Sequence, residues 1–428
     1  MRTRACFVMA GLVVACAGQD PEACPLALAS ARGVYVECVQ AIGLEIVELE
    51  IGANGDIDVR FGASSEPEDV EAARYTCEPL MQVALVRGQL ACHATEVGSP
   101  AGADALAAEL ERGGEDGFSG SVAIVRDDVL LYSGAAGLAN RSEGIANTPR
   151  TAFDCGSIMK MVTAAAIYQL EAEGRLARGM SLGELFTDVP ADKAAITLDQ
   201  VLVHTAGFQE FHDTEGDFEP VDRATALARI FAQPLLFAPG QGEAYSSSGY
   251  TLLAAVVEDV SGLPFGEYIH TRLFEPASMD DTGVFGEPLW SAPESAIGYE
   301  DGSFGCNSPA CWPAPSWALV GNGGLVSTVQ DLVAWTAAID DGRIFDAPTR
   351  DAFRDDLLAP AGFTVDGMSA YVYTGRNDFG FGATIVEVPS RGTWVAVATN
   401  TAPSYDDTVL AVQLAQMSMG ALLEVPEE

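Results

Sequence analysis

The chain has 428 residues, 48% of them hydrophobic, and 61 acidic residues outnumber 22 basic ones, which gives a net charge of −39. This apolar content is sufficient for a packed core and excludes an intrinsically disordered chain. The acidic charge, which no basic patch interrupts, excludes nucleic acid as a partner.

The first 16 residues have the layout of an export signal. Two arginines precede a short apolar run and then small residues, so we expect residues 1–15 to be a signal peptide. The sequence "VVAC" is similar to a bacterial lipobox, in which Cys16 is the lipidated residue; ordinary signal cleavage near Ala17 or Gly18 is the alternative. We therefore expect a protein of the exported bacterial cell envelope, in the periplasm or at the outer membrane, held to the membrane by the lipid anchor only.

Residues 16–100 are predicted to form a small N-terminal module with disulfides and an unknown role. "GLEIVELEIG" and "GDIDVRFG" alternate with period two, which is typical of strands, and "EPEDVEAARYTCEPLMQVAL" favours a helix. The Gly/Pro-containing stretch "GSPAGAD", residues 98–104, indicates the boundary with residues 101–428.

The cysteines are consistent with export to an oxidising compartment. Four of them lie in the first module and allow three connectivities. We prefer the two local pairs, Cys24–Cys38 and Cys77–Cys92, and we expect Cys306 and Cys311 to close a small surface loop. Cys155 is left over, and we expect a buried, inert thiol.

The second region, residues 101–428, begins and ends with strands. After a helical stretch, "GSVAIVRDDVLLYSGAAG" predicts a hairpin, and "GFGATIVEVPSRGTWVAVATN" predicts two more strands that turn at residues 389–392. Residues 155–345 are mainly helical, and "DDTVLAVQLAQMSMGALL" predicts a closing helix. The expected fold class is α+β: an antiparallel sheet flanked by helices, with an inserted, mainly helical subdomain and a cleft between the two.

The stretch "FDCGSIMKMVTAAAIYQLEAEG", residues 153–174, carries the chemical signal. The chain has only two lysines, Lys160 and Lys193, and Lys160 lies in this strongly apolar helix, three residues after Ser157. Residues three apart share a helix face, so the hydroxyl and the amine can meet. Burial lowers the pKa of a lysine, which a general base near neutral pH requires. The structural alternative is a Ser157 that caps the helix and a Lys160 that reaches solvent.

Four segments in order give residues 105–420 a resemblance to the serine β-lactamase-like superfamily, which includes class C β-lactamases, penicillin-binding DD-peptidases and related esterases. They are the helix above, "AITLDQVLVHTAGF", "APGQGEAYSSSGYTLLAAVVEDVSGLPFGEYIHTRLFEPASMDDTG" and "GNGGLVSTVQDLVAWTAAIDDG". The resemblance implies that Ser157 is the acylated nucleophile, that Lys160 is its base and that Tyr245 moves protons between Ser157 and the leaving group. We expect the nearby lysine ammonium to make the phenolate of Tyr245 more accessible.

Two positions depart from the family pattern. Ser247 stands where the family has an asparagine, which weakens the grip on a substrate amide. In the third motif the family has Lys-Thr-Gly or His-x-Gly, and the best match here is Tyr373-Thr374-Gly375. The N–H of Arg376 is then the second oxyanion donor beside that of Ser157, and the usual carboxylate anchor is absent or passes to Arg376.

The remaining residues add little chemistry. The histidines are His93, His204, His212 and His270, and we expect His204 to shape structure. The sequence has no zinc-type spacing, so we predict no metal and no cofactor. No G-x-S-x-G motif is present, which disfavours an α/β-hydrolase triad.

The sequence therefore predicts an exported serine hydrolase that acts through an acyl-enzyme on small ester, amide or peptide substrates. An esterase-like activity on small neutral esters is favoured over turnover of β-lactams or D-Ala-D-Ala peptides. The first alternative is a non-catalytic envelope protein, like a penicillin-binding protein, that binds muropeptide or a protein partner. The second is a function located in residues 20–95. The sequence leaves the oligomeric state open.

Overall fold

The structure is a computed structural model that describes residues 46–51, 57–61, 118–127, 129–287, 290, 294–299, 307–357, 364–365, 368–401 and 411. The predicted signal peptide, lipidation site Cys16, helical stretches at 66–85 and 103–114, and most of the closing helix lie outside these residues. The proposed domain boundary also lies outside them, so it stays a prediction.

The described strands are β1 Ile46–Ile51, β2 Ile57–Phe61, β3 Gly120–Arg126, β4 Val129–Ala136, β5 Leu138–Asn140, β6 Ile145–Ala146, β7 Phe153–Asp154, β8 Gly283–Val284, β9 Leu325–Ser327, β10 Thr364–Val365, β11 Met368–Ser369, β12 Tyr371–Arg376, β13 Gly382–Val388 and β14 Thr393–Thr399. The α-helices are α1 Ile158–Ala172, α2 Leu182–Leu185, α3 Leu198–Leu202, α4 Arg223–Ala232, α5 Ser247–Ser261, α6 Phe265–Ile269, α7 Glu275–Ala277, α8 Val329–Asp340 and α9 Ala347–Leu357. A π-helix at His270–Phe274 and 3₁₀ turns at Pro309–Cys311 and Pro389–Arg391 connect them.

Within the N-terminal region, β1 and β2 pair antiparallel, as the alternating sequence predicts. This hairpin is the only part of residues 1–117 that the structure describes.

The core of the second region is a five-stranded sheet in the spatial order β12–β13–β14–β3–β4. The pairs β12–β13, β13–β14 and β14–β3 are antiparallel. Both predicted strand pairs are confirmed, and Gly392 with φ +53° completes the turn between β13 and β14. Strands from the two ends of the region lie side by side, and the helices come from the chain between them. The predicted α+β class is therefore confirmed.

Helices cover the sheet, which explains why β13 and β14 are buried along their whole length. Helix α8 packs on β14 and β3, and α1 packs on β12 and on α5. Because α1 lies between the sheet and the helical layer, its first turn is placed where these two parts meet. Within the described part of the chain, no helix is both long and apolar enough to cross a bilayer.

Candidate active site

Ser157 stands at the first turn of α1, immediately after a glycine in a left-handed conformation. Gly156 has φ +49°, which a residue with a side chain rarely adopts. Ser157 occupies the N-cap position, but its side chain makes no capping hydrogen bond. The alternative that this serine serves only to cap the helix therefore does not describe the structure.

Lys160 is folded into the interior rather than extended into solvent. Its side chain is 6% exposed. The Nζ atom donates to Ser157 Oγ at 3.0 Å and to the backbone carbonyl of Asn322 at 2.6 Å. The first contact joins the two residues of the S-x-x-K motif. The second comes from a residue that the sequence did not single out, 162 positions away in the chain.

Burial lowers the pKa of Lys160 to about 7, and the carboxylates of Asp217 and Glu210 oppose this shift. Neither carboxylate is among the hydrogen-bond partners described for the ammonium, so desolvation dominates. About half of such amines are unprotonated at neutral pH, which is the condition for accepting a proton from an adjacent alcohol.

Tyr245 completes a trio around the serine oxygen. Its hydroxyl donates to Ser157 Oγ at 2.7 Å, and its ring centroid lies 4.9 Å from Lys160 Nζ. The residue follows Ser157 by 88 positions in the chain and lies shortly before α5. The side chain is 46% exposed, so the phenol lies at the border between the protein interior and the open side of the site.

The pKa of Tyr245 differs from the sequence-based expectation, in which a lysine ammonium favours the phenolate. Burial of the hydroxyl raises its pKa, the hydrogen bond to Ser157 lowers it in part, and Glu210 raises it further. The structure contradicts the expectation because desolvation is the largest cause of the shift and outweighs the opposing hydrogen bond. Tyr245 is therefore a neutral phenol that can pass a proton on but does not start as a base.

His204 forms hydrogen bonds with the residues on both sides of Tyr245. Its ring stacks on the Tyr245 ring with centroids 4.8 Å apart. Its Nδ1 accepts from the N–H of Ser246 at 3.1 Å, and its carbonyl accepts from the N–H of Ala244 at 3.0 Å. The residue has φ +59°, unusual for a non-glycine. Burial and the nearby Lys160 lower its pKa to about 4, so the ring is neutral and Nδ1 remains an acceptor.

The end of β12 lies directly against Ser157. A Cβ atom built on Gly375 would be 1.9 Å from the carbonyl of Cys155 and 2.8 Å from the backbone nitrogen of Ser157. Only glycine fits there. The side chains of Thr374 and Arg376 are exposed. The structure thus brings the predicted third-motif segment to Ser157, the predicted nucleophile, with the backbone of Arg376 next to Gly156.

Tyr373 does not present an exposed hydroxyl to the site. It is buried, and the charged groups that act on its phenol include Glu387 and Arg354, which form a buried ion pair. Desolvation raises its pKa well above the usual range. The expectation that Tyr373 offers a hydroxyl in place of the family's cation is therefore corrected: its side chain belongs to the interior network around α9.

Ser247 begins α5, and Ser246 caps that helix by accepting from the N–H of Gly249 at 3.0 Å. Ser247 is buried. Of the other histidines, His212 bonds to Ser248 Oγ and to the carbonyl of Trp317, and the ring of His270 pairs with Glu287.

Only some of the cysteine predictions concern residues that the structure describes. Cys155 is a buried free thiol, as expected. Cys311 is disulfide-bonded, and its predicted partner Cys306 lies outside the described residues, so that pairing stays a prediction. Cys24, Cys38, Cys77 and Cys92 also lie outside them, as does His93. Across the described ranges, no cluster of His, Cys, Asp or Glu could hold a metal ion.

A serine that is hydrogen-bonded to a lysine one turn later and to a tyrosine from a distant segment is the arrangement of serine hydrolases of the S-x-x-K type. Comparison with known proteins gives the family. The beta-lactamase family model matches residues 106–416, and the chain belongs to this family.

Curated relatives within this family include hydrolases and penicillin-binding proteins. The chain is 30% identical over 261 residues to the putative penicillin-binding protein PbpX of Bacillus subtilis (strain 168), covering 61% of this chain and 64% of PbpX. It is 30% identical over 203 residues to the esterase EstB of Burkholderia gladioli, covering 43% of this chain and 50% of EstB. The chain thus spans between half and two thirds of these relatives.

A solved structure agrees with the fold. The octameric penicillin-binding protein homologue from Pyrococcus abyssi superimposes with a TM-score of 0.64 at 22% identity, over 74% of this chain and 77% of that protein. At this identity the likeness establishes the fold alone.

Proposed function

We propose that the protein is a serine hydrolase that cleaves small neutral esters through an acyl-enzyme on Ser157. The observation that carries the proposal is the convergence of Lys160 and Tyr245 on one oxygen, Ser157 Oγ, at 3.0 and 2.7 Å. Membership in a family of serine hydrolases, and similarity to a protein named as an esterase, support it.

In the proposed reaction, Lys160 and Tyr245 each transfer one proton during acylation and one during deacylation. Neutral Lys160 takes the proton of Ser157 as Oγ attacks the ester carbonyl, and the backbone N–H groups of Ser157 and Arg376 hold the oxyanion. Tyr245 passes a proton to the leaving alcohol. Water then attacks the acyl-enzyme with the same groups in reverse, and the acid is released.

The preference for neutral esters follows from the charges around the site. Asp217 and Glu210 lie close enough to Lys160 to oppose the fall of its pKa, so two acidic side chains are near the site. Position 373 holds a buried tyrosine where the family has a lysine or histidine, so Arg376, exposed at the end of β12, is the one cation that this strand offers to a substrate carboxylate. A negatively charged β-lactam or peptide terminus is therefore disfavoured relative to an uncharged ester.

A fluorophosphonate probe and two chromogenic substrates test the proposal. We expect the probe to label the wild-type protein and not Ser157→Ala, and p-nitrophenyl butyrate to be cleaved faster than a chromogenic cephalosporin. Much faster cephalosporin cleavage would overturn the ester preference. Absence of labelling would favour the alternative of a non-catalytic envelope protein that binds muropeptide or a protein partner.

We also propose that the protein is exported and lipid-anchored through Cys16, based on the "VVAC" sequence. Metabolic labelling with a radioactive fatty acid should mark the wild-type protein in a bacterial host. If Cys16→Ser is labelled equally, Cys16 is not the anchor.

A further inference from the structure

One buried carboxyl group links the two backbone segments that meet at the nucleophile. Asp154, the last residue of β7, is 3% exposed. Its Oδ1 accepts from the N–H of Gly156 at 2.8 Å, and its Oδ2 accepts from the side-chain amide of Asn377. Gly156 is the residue directly before Ser157, and Asn377 is the residue directly after Arg376.

Asn377 passes this connection on to the turn that follows β12. Its Oδ1 accepts from the N–H groups of Phe379 and Phe381, both at 3.0 Å, and its own N–H donates to the carbonyl of Phe381 at 3.2 Å. The amide side chain therefore has its oxygen engaged by the turn and its nitrogen engaged by Asp154. A change at either residue alters a single connected network.

The two linked segments touch backbone to backbone. A Cβ atom on Gly156 would be 2.7 Å from the carbonyl oxygen of Arg376 and 2.8 Å from its nitrogen, and a Cβ on Gly375 would overlap the carbonyl of Cys155. At these two glycines there is no room for a side chain that could set the spacing of the segments. The polar link on the flanking residues is therefore well placed to set it.

We infer that Asp154 and Asn377 are a positioning pair that fixes the separation between the backbone N–H groups of Ser157 and Arg376. The inference rests on the proposed function, in which these two groups hold the oxyanion. Donors must lie within about 2.7–3.1 Å of the developing oxyanion, and a displacement of about 1 Å can cost a hundredfold in rate. The pair touches no substrate and acts only through the donors it holds.

The buried position supports this role. Burial raises the pKa of Asp154 to about 7, while the bonds from Gly156 and Asn377 lower it in part. Burying a carboxyl group costs folding free energy unless the group is hydrogen-bonded, and the bonds of Asp154 join a loop to the end of a strand.

A charge swap tests the pair. In Asp154→Asn two amide donors face each other, and in Asn377→Asp two carboxylates face each other. Each single variant therefore breaks the hydrogen bond between positions 154 and 377. The double variant D154N/N377D exchanges the two groups and preserves every hydrogen bond of the network. In it, the carboxylate at position 377 can accept from the amide at position 154 and from the N–H groups of Phe379 and Phe381. Asn377→Ser is a third single variant for the case that one of the others does not fold.

We expect each folded single variant to lower kcat for p-nitrophenyl butyrate about ten- to hundredfold with little change in KM, because the lost interaction acts in the transition state. The double variant should recover most of that loss. Asn147→Asp is the matched control, since this buried asparagine also ties a loop, through Ser119 Oγ and the carbonyl of Ala136, away from Ser157. It should leave kcat close to the wild-type value.

The outcomes separate the two proposals. An active wild type whose single variants retain kcat, or whose double variant is no better than the singles, would overturn the positioning pair alone. A loss of kcat in Asn147→Asp equal to that in Asn377→Asp would also overturn it, because the effect would then be general destabilisation. A wild-type protein without esterase activity would overturn the proposed function, and the role of the pair with it.

Discussion

Two cations are buried to the same degree in this protein, and they behave in opposite ways. Lys160 is 6% exposed and Arg354 is 7% exposed. Arg354, on α9, contacts carboxylates directly: Asp340 at 2.7 Å and Glu387 in a close pair. The hydrogen bonds described for Lys160 go to a hydroxyl and a carbonyl.

The pKa shifts follow the partners. Burial acts to lower the pKa of both groups, but Glu387 and Asp340 more than offset it for Arg354, whose pKa is raised. For Lys160 the opposing carboxylates, Asp217 and Glu210, are too weak to prevent a fall to about 7. Direct contact with a carboxylate therefore keeps one buried cation charged, whereas the other, without such a contact among its described bonds, has a pKa near neutral.

Replacing each of the two cations with methionine tests this difference, and Lys160→Met should have the largest effect. Removing the amine should lower kcat/KM for p-nitrophenyl butyrate about 10⁴-fold, at the upper end for loss of a general base. The same change should raise the melting temperature. The pKa of Lys160 in the folded protein lies below its value in the unfolded chain, so burial of this amine destabilises the fold. The full destabilisation is present below pH 7, and it decreases as the pH rises towards 10.5.

Calorimetry at about pH 6.5 and about pH 9, on either side of the folded pKa, checks the second part. The gain in melting temperature should be larger at the lower pH. An active Lys160→Met protein, or one less stable than the wild type at both pH values, would show that this lysine is a structural cation like Arg354.

Arg354→Met should have the opposite effect on stability. It leaves Glu387 buried without its cation, and loss of one partner of a buried pair costs about 3–5 kcal/mol of unfolding free energy. Urea denaturation measures this value, while the rate of fluorophosphonate labelling of Ser157 should stay near that of the wild type.

Arg350→Met, on the same helix, is the matched control. Arg350 pairs with Asp351 at 2.9 Å at the surface, and such pairs contribute about 1 kcal/mol or less. If Arg350→Met and Arg354→Met lower the unfolding free energy equally, the buried ion pairs of Arg354 contribute no more to stability than a surface pair.

His204→Asn should have a smaller effect, confined to catalysis. Asparagine tolerates φ +59° and offers an acceptor for Ser246, but it removes the ring that stacks on Tyr245. We expect kcat to fall about tenfold with KM little changed, since a mobile Tyr245 spends less time on Ser157 Oγ.

His212→Asn provides the comparison for that variant. His212 is equally a buried histidine, but its described hydrogen bonds go to Ser248 and Trp317 and to none of the three catalytic candidates. It should change stability more than kcat. If His212→Asn lowered kcat more than His204→Asn does, His204 would not be the residue that positions Tyr245.

The sequence could predict what depends on local spacing. The hairpins β3–β4 and β13–β14 follow from alternating apolar residues and turn residues, and the approach of Lys160 to Ser157 follows from a three-residue spacing in a helix. Tyr245 required the resemblance to a family, because 88 residues separate it from Ser157.

The remaining features depend on contacts between distant segments. Asn377 lies 223 residues from Asp154, and no local pattern connects them. The only sequence signals were an aspartate inside the apolar run "FDCG" and an asparagine at the end of a strand. The burial of Tyr373 was likewise hidden, because the charged groups near its phenol, Arg354 and Glu387, come from other segments of the chain.

We propose that a dehydrated amine at Lys160 activates Ser157, and the pH dependence of fluorophosphonate labelling decides whether it does. Only the neutral amine can accept the proton, so the labelling rate should rise with pH through about 7 and fall about tenfold for each pH unit below that. A rate that is constant between about pH 5 and 9, or that rises only near the ordinary lysine pKa of about 10.4, would contradict the claim.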